Sequence, residues 1–201
     1  MKTNYQLICD KQIEEMTKEG KVPRLLLHSC CGPCSSYVIE YLSKFFDITV
    51  FFYNPNVFPQ EEYEKRLSAQ KEVVERLKTE NHVELVAGEY NHDAFLEVVR
   101  GFETAPEGEA RCPECFKLRL LESAKYAREH CFDCFTTTLS VSPHKNAELL
   151  NSLGEEISKR VGIRFLTADF KKREGYKRSI ELSRELDLYR QEYCGCEFSL
   201  R

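Results

Sequence analysis

Cys30 and Cys31 stand side by side, and Cys34 follows across Gly32-Pro33, placing three cysteines within five residues of the stretch LLLHSCCGPCSS. Thiolates bind soft metals and exchange electrons. Neighbouring side chains leave the backbone in diverging directions, which suits separate irons of a cluster, or two metal centres, better than one tetrahedral ion. Cys112 and Cys115 have C-x2-C spacing at what reads as a helix start, so both sulfurs can face one metal site. With the first group they form a four-sulfur set that serves zinc and iron–sulfur clusters alike. Cys194-Gly195-Cys196 reads as a strained, reducible disulfide pair, a further metal-ligating arm, or an incidental thiol pair. Cys9 is expected to be a packing residue, and Cys131 and Cys134, flanking the start of a strand on the far rim of the sheet, are expected to be buried or incidental.

These groups need a frame. An apolar run at 24–28 predicts a first strand, and alternating or β-branched runs predict strands at 48–53, 83–87, 132–139 and 163–167. Helical spacing and cap residues predict helices at 4–20, 35–46 (capped by Ser35 or Ser36), 59–81, 93–100, 112–130, 143–161 and 175–192, with a loop at 101–110. Strands alternating with helices call for an α/β fold: a three-layer, mostly parallel five-stranded sheet with helices on both faces and Rossmann-like topology. The stretches HSCCGPC, YNPN, SPHKN and DFKK each follow a strand, so the carboxyl edge of a parallel sheet collects them in one crevice.

Around that crevice Tyr53, Asn54, Ser142, His144 and Lys145 are candidate substrate-binding residues, and Asp169 is a candidate acid/base or metal ligand. Lys171, Lys172, Arg173 and Lys177 belong to a basic run that can hold phosphate, although a charge run on a helix is as often a solvated face. The net charge of −4 gives no global attraction for nucleic acid. At 201 residues and 42% hydrophobic, residues 1–201 are expected to form a single α/β domain that folds without disulfide staples. No apolar run has the length of a membrane span or a signal peptide, so the expectation is a cytoplasmic protein whose cysteines serve metal or catalysis.

HSCCGPCSS, YNPNVFPQEEYEKR, CPECFKLRL, FTTTLSVSPHKN, DFKKREGYKRS and YRQEYCGCEFS, in this order, resemble the QueH family of epoxyqueuosine reductases. The resemblance implies the last step of queuosine biosynthesis, reduction of the epoxide of epoxyqueuosine in tRNA, by an enzyme unrelated to the cobalamin-dependent ones. It implies a 4Fe–4S cluster, carried onto Cys30, Cys31, Cys112 and Cys115, and a redox-active disulfide, carried onto Cys194 and Cys196. CCGPC stands where ATP-using relatives of the fold have a glycine-rich phosphate turn, which argues against ATP use. An additional iron or other divalent metal near Cys34, with Asp169 as a further ligand, would polarise the epoxide oxygen. Asp169, His144 and Tyr193 stand as alternative proton donors, and the partners implied are tRNA and an electron donor. Two rival readings rest on the cysteines alone: a zinc-binding RNA module and a thiol–disulfide oxidoreductase.

Overall fold

The structure is a computed structural model that describes residues 3–199. Five strands, β1 (Arg24–His28), β2 (Asp47–Phe52), β3 (Val83–Ala87), β4 (Cys134–Thr137) and β5 (Arg164–Phe165), pair in the order β3-β2-β1-β4-β5, all parallel. Seven helices connect and flank them: α1 (Tyr5–Met16), α2 (Gly32–Leu42), α3 (Gln60–Arg76), α4 (His92–Val98), α5 (Arg111–Glu129), α6 (Ala147–Val161) and α7 (Gly175–Glu185).

β1 explains the layering. Its alternating side chains are nearly all buried, as expected for a central parallel strand covered on both faces. Leu25 and Leu27 enter an apolar cluster with Ile13 of α1, Val38 and Ile39 of α2 and Val73 of α3. Leu26 points the other way, into a cluster with Leu120 and Ala124 of α5 and Leu150 and Ile157 of α6. Strand order reverses at β1, which pairs with β2 on one side and β4 on the other. Ligands of open α/β sheets gather outside the carboxyl ends of the strands at such a switch point. Among the described residues, no helix is long and apolar enough to cross a membrane.

Several element ends differ from expectation, each for a physical reason. α2 begins at Gly32, with Cys31 in extended backbone as its N-cap and Pro33 in the first turn, where a missing N–H costs nothing. Gly32 itself meets α3 so closely that a Cβ would lie 2.7 Å from the Ala69 carbonyl oxygen. The leading helix stops at Met16, because Glu19 takes a left-handed φ of 64° before Gly20. β5 has only two residues, since side chains replace the ladder beyond it: Thr167 N donates to Gln12 Oε1, and Asn151 bridges the N–H and carbonyl of Ala168. α6 starts at Ala147 rather than at Pro143, where Asn146 Oδ1 caps the Glu148 and Leu149 amides. α7 ends at Glu185, and residues 186–199 run back over the sheet edge with one short 3-10 turn at Glu197–Ser199.

Candidate metal and redox centre

The turn after β1 brings Cys30, Cys31 and Cys34 together, with their sulfurs all within 4.8 Å of one another. Cys30 Sγ and Cys31 Sγ are 3.7 Å apart, so adjacent cysteines do not diverge here as the sequence suggested. The extended Cys31 backbone at the head of α2 turns its thiol back toward Cys30. The turn is braced from below. Ser29 Oγ and Ser35 Oγ both donate to Gln70 Oε1 of α3, at 2.6 and 2.9 Å, and all three residues are fully buried.

Three thiols this close share one negative charge. Hydrogen bonds from Cys31 and Cys34 pull Cys30 well below the ordinary thiol range, and Arg119 and Lys145 add to this against the effect of burial. The same hydrogen bond to Cys30 pushes Cys31 up to about 12, and contact with Cys30 and Cys31 likewise raises Cys34. Gln191 Nε2 donates to Cys31 Sγ at 2.9 Å. Clustered soft sulfurs with donors and cations around them are the donor chemistry of a thiolate metal site, so the residues fit one. Sulfurs of a single tetrahedral ion at about 2.3 Å from each ligand are about 3.8 Å apart, close to the Cys30–Cys31 separation.

Cys112 and Cys115 approach from the first turn of α5 and do not belong to that compact triad. Cys112, like Cys30, packs against the apolar cluster around Leu26, and it accepts from Gly108 N at 3.1 Å. Cys115 is buried with Cys196, Phe95 and Val99, and burial pushes its thiol up to about 11. Arg119, one turn further along α5, ties this helix to the β1 turn. Its Nη1 lies 4.0 Å from Cys115 Sγ, its Nη2 donates to Asn54 Oδ1 at 2.7 Å and its Nε donates to His28 Nε2 at 3.3 Å. His28 Nδ1 lies 2.8 Å from Thr137 Oγ1 and Nε2 lies 3.2 Å from the Tyr53 carbonyl, and burial followed by the Arg119 charge pushes the His28 pKa down to about 3.

The tail delivers the third sulfur pair. Cys194 lines a cavity of 1340 Å³ together with Cys30, Cys34, Ser142, His144 and Lys145. Lys145 Nζ donates to Cys194 Sγ at 3.4 Å. Burial works to strip the proton from Lys145, and the Cys194 and Cys30 sulfurs outweigh it, so the ammonium is held above its usual pKa. Cys196 is buried, which raises its thiol. Both cysteines are free thiols, as are the other eight. Arg66 of α3 holds this segment. Its guanidinium donates to the carbonyls of Tyr193 and Cys194, both at 3.1 Å, and pairs with Glu62 at 2.7 Å. Glu62 in turn accepts from Tyr189 Oη at 2.7 Å.

Other predicted site residues are placed differently. Asn54 is fully buried, donating to the Ser29 carbonyl and accepting from Arg119, so its amide braces the turn instead of facing a substrate. Tyr53 is half-buried and stacks on Phe51. Asp169 is outside the thiol triad and is held by Lys171 Nζ at 2.9 Å. Arg173 is engaged by Asp10, whereas Lys172 is exposed and Lys177 makes only an exposed pair with Glu174 at 3.7 Å. Tyr193 Oη donates to the Phe58 carbonyl at 2.7 Å. Cys9 and Cys134 are core residues and Cys131 is exposed on the far rim, as expected of packing or incidental cysteines. Arg66, Arg119 and Gln191 were not singled out by sequence, and only Arg119 had a signal there: it follows Cys115 by four residues, on the same helix face.

Comparison with known proteins shows which family the chain is similar to. The chain is similar to the epoxyqueuosine reductase QueH of Staphylococcus epidermidis, 40% identical over 98% of this chain and 85% of that one. It is similar to the protein of the same name from Streptococcus pyogenes serotype M1, 41% identical over 100% of this chain and 79% of that one. In fold it resembles the U34-tRNA thiolase NcsA of Methanococcus maripaludis, a structure solved with its [4Fe-4S] cluster, at TM-score 0.52 and 10% identity over 96% of this chain and 67% of that one. That likeness speaks to the fold alone. A sequence profile described as "Epoxyqueuosine reductase QueH" matches residues 25–201, and the chain belongs to this family of oxidoreductases.

Proposed function

We propose that this protein reduces the epoxide of epoxyqueuosine in tRNA to give queuosine, in the cytoplasm, with its thiol-lined crevice as the reaction centre. The observation that carries the reading is the meeting of three thiols, one buried and two partly exposed, at the strand-order switch point, with Cys30 and Cys34 on the same cavity as Cys194. Family membership supplies the reaction.

Deoxygenating an epoxide to an alkene consumes two electrons and two protons and releases water. Two thiols closing to a disulfide release the same two electrons and two protons, so one turn of the Cys194/Cys196 pair balances the reaction, and an external donor must then reduce the disulfide. A 4Fe–4S cluster on Cys30, Cys31, Cys112 and Cys115, with a further divalent metal near Cys34, would carry electrons and polarise the epoxide oxygen when bound. Lys145 keeps a proton at Nζ, beside Cys194 and facing the cavity, where an oxyanion leaving the ring would need one. Ser142 and His144 line the same wall. The cavity exceeds the roughly 300–1,000 Å³ of small-molecule pockets, as a base splayed out with its flanking phosphates requires. Exposed Lys172 and Lys177 are the accessible cations of the basic run, and Lys171 and Arg173 are already engaged.

One observation favours a second reading. The 3.7 Å Cys30–Cys31 separation suits a single ion, so a zinc-binding RNA module without redox chemistry is the rival. An anaerobic assay with epoxyqueuosine-containing tRNA and a strong reductant separates the two. The reductase yields queuosine and carries acid-labile sulfide; a colourless zinc protein that leaves the epoxide intact refutes the proposal.

A further inference from the structure

Among the described residues three arginines are almost fully buried, and they are compensated differently. Arg66 pairs with the Glu62 carboxylate and caps two carbonyls of the tail. Arg111 donates to the carbonyls of Phe102, Glu103 and Ala105, organising the loop before α5. Arg119, 1% exposed, has neither a carboxylate nor a carbonyl cluster among the described residues. Its partners are a histidine ring nitrogen, an amide oxygen and the Cys115 sulfur. A charge held away from water is costly unless an opposite charge meets it. Lys145, also largely buried, adds a second positive charge on the same side. Lys145 has the Glu107 carboxylate at 4.0 Å, whereas the side chains that can supply negative charge to the Arg119 guanidinium are the cysteines, and they do so fully only when metal displaces their protons.

We infer that Arg119 is the built-in counter-charge of the thiolate set, a positioning residue that favours the reduced state of the group those thiolates hold. The inference rests on the iron–sulfur reading above. Taking up one electron adds one negative charge to the bound group, and a fixed guanidinium beside Cys115 stabilises that state more than the oxidised one. Fork geometry matters as well: one guanidinium touches α5 through Cys115, β1 through His28 and the β2 exit loop through Asn54, and so fixes the two cysteine arms relative to each other.

The test is potentiometric. Wild type, Arg119→Gln and Arg119→Lys are reconstituted anaerobically with ferrous iron and sulfide, and the midpoint potential is read from cluster absorbance while dithionite supplies electrons. The midpoint belongs to the loaded molecules, so incomplete loading does not distort it. The expected result is a downward shift in Arg119→Gln, which keeps an amide donor and loses the charge, with Arg119→Lys near wild type. A glutamine variant that takes up no iron while the lysine variant does also supports the inference. Equal midpoints in wild type and Arg119→Gln overturn it, as does a lysine variant that behaves like glutamine or fails to load alongside it. Wild-type protein that takes up no iron and sulfide removes the reading itself and the inference with it; wild-type loading with an unmoved midpoint removes the inference alone.

Discussion

The β1 turn and the carboxyl-terminal tail both present cysteines to one cavity, yet they are built on opposite principles. Around Cys30–Cys34 the backbone is dictated by regular structure: a buried strand end, a helix start and two buried serines tied to Gln70. Around Cys194–Cys196 there is no ladder and no long helix. The segment is held by side chains reaching its carbonyls, chiefly Arg66, and by the Phe58 N–H donating to the Gly195 carbonyl at 2.8 Å. Gly195 takes a φ of 101°, and a Cβ there would lie 2.7 Å from Arg66 Nη1. A turn pinned by tertiary packing can keep ligands in place before metal arrives. A strap pinned by a few hydrogen bonds can carry a dithiol whose sulfurs must change partners. On the proposed function, the difference would separate a fixed metal frame from a carrier of electrons.

Substitution in the frame should have the largest effect. Cys31→Ser keeps a good N-cap for α2, so the fold should survive while iron uptake and turnover fall by more than about a hundredfold, beyond the loss typical of outer-shell changes. Normal iron content in this variant would break the comparison. In the tail, Cys194→Ser should abolish turnover with bound iron, sulfide and absorbance unchanged; full activity would remove the pair from the reaction. Arg66→Met leaves Glu62 buried without its partner, which costs on the order of 3–5 kcal/mol in denaturant unfolding. It should also raise hydrogen exchange over residues 189–199 more than around residue 30. Equal protection loss in both regions would show that the strap and the turn are one unit.

Proton release sharpens the description of the frame. Cys31 and Cys34 are held protonated in the metal-free triad, so they bind protons at neutral pH that a metal must displace. Metal affinity should therefore rise with pH and fall as pH drops, with protons released on uptake, measurable by titration in weak buffer. The smallest effect is expected at the surface. Neutralising Lys172 and Lys177 should reduce the salt slope of tRNA binding by about 0.7–0.9 for each phosphate these lysines neutralise, without changing iron content.

Much of this was legible in sequence because period and punctuation carried it. The strand–helix alternation gave β1, β2 and β3 nearly to the residue, and placing the cysteine and SPHKN stretches after strands located the cavity, although no residue of YNPN or DFKK lines it. Where sequence misled, a side chain had replaced the backbone. Gln12 and Asn151 satisfy the chain beyond β5, so a five-residue apolar run became a two-residue strand. Asn54 looked like an open polar contact but closes a buried network with Arg119, a partner 65 residues away that no local pattern announces. The proximity of the Cys30 and Cys31 sulfurs followed from the backbone at the head of α2, which residue spacing does not encode.

The most direct measurement is bound iron and acid-labile sulfide per chain after anaerobic reconstitution, in wild type and in Cys115→Ser. Wild type should hold both, with reducible visible absorbance, and Cys115→Ser should lose the sulfide. Stoichiometric zinc with no sulfide in the active wild-type protein would contradict it.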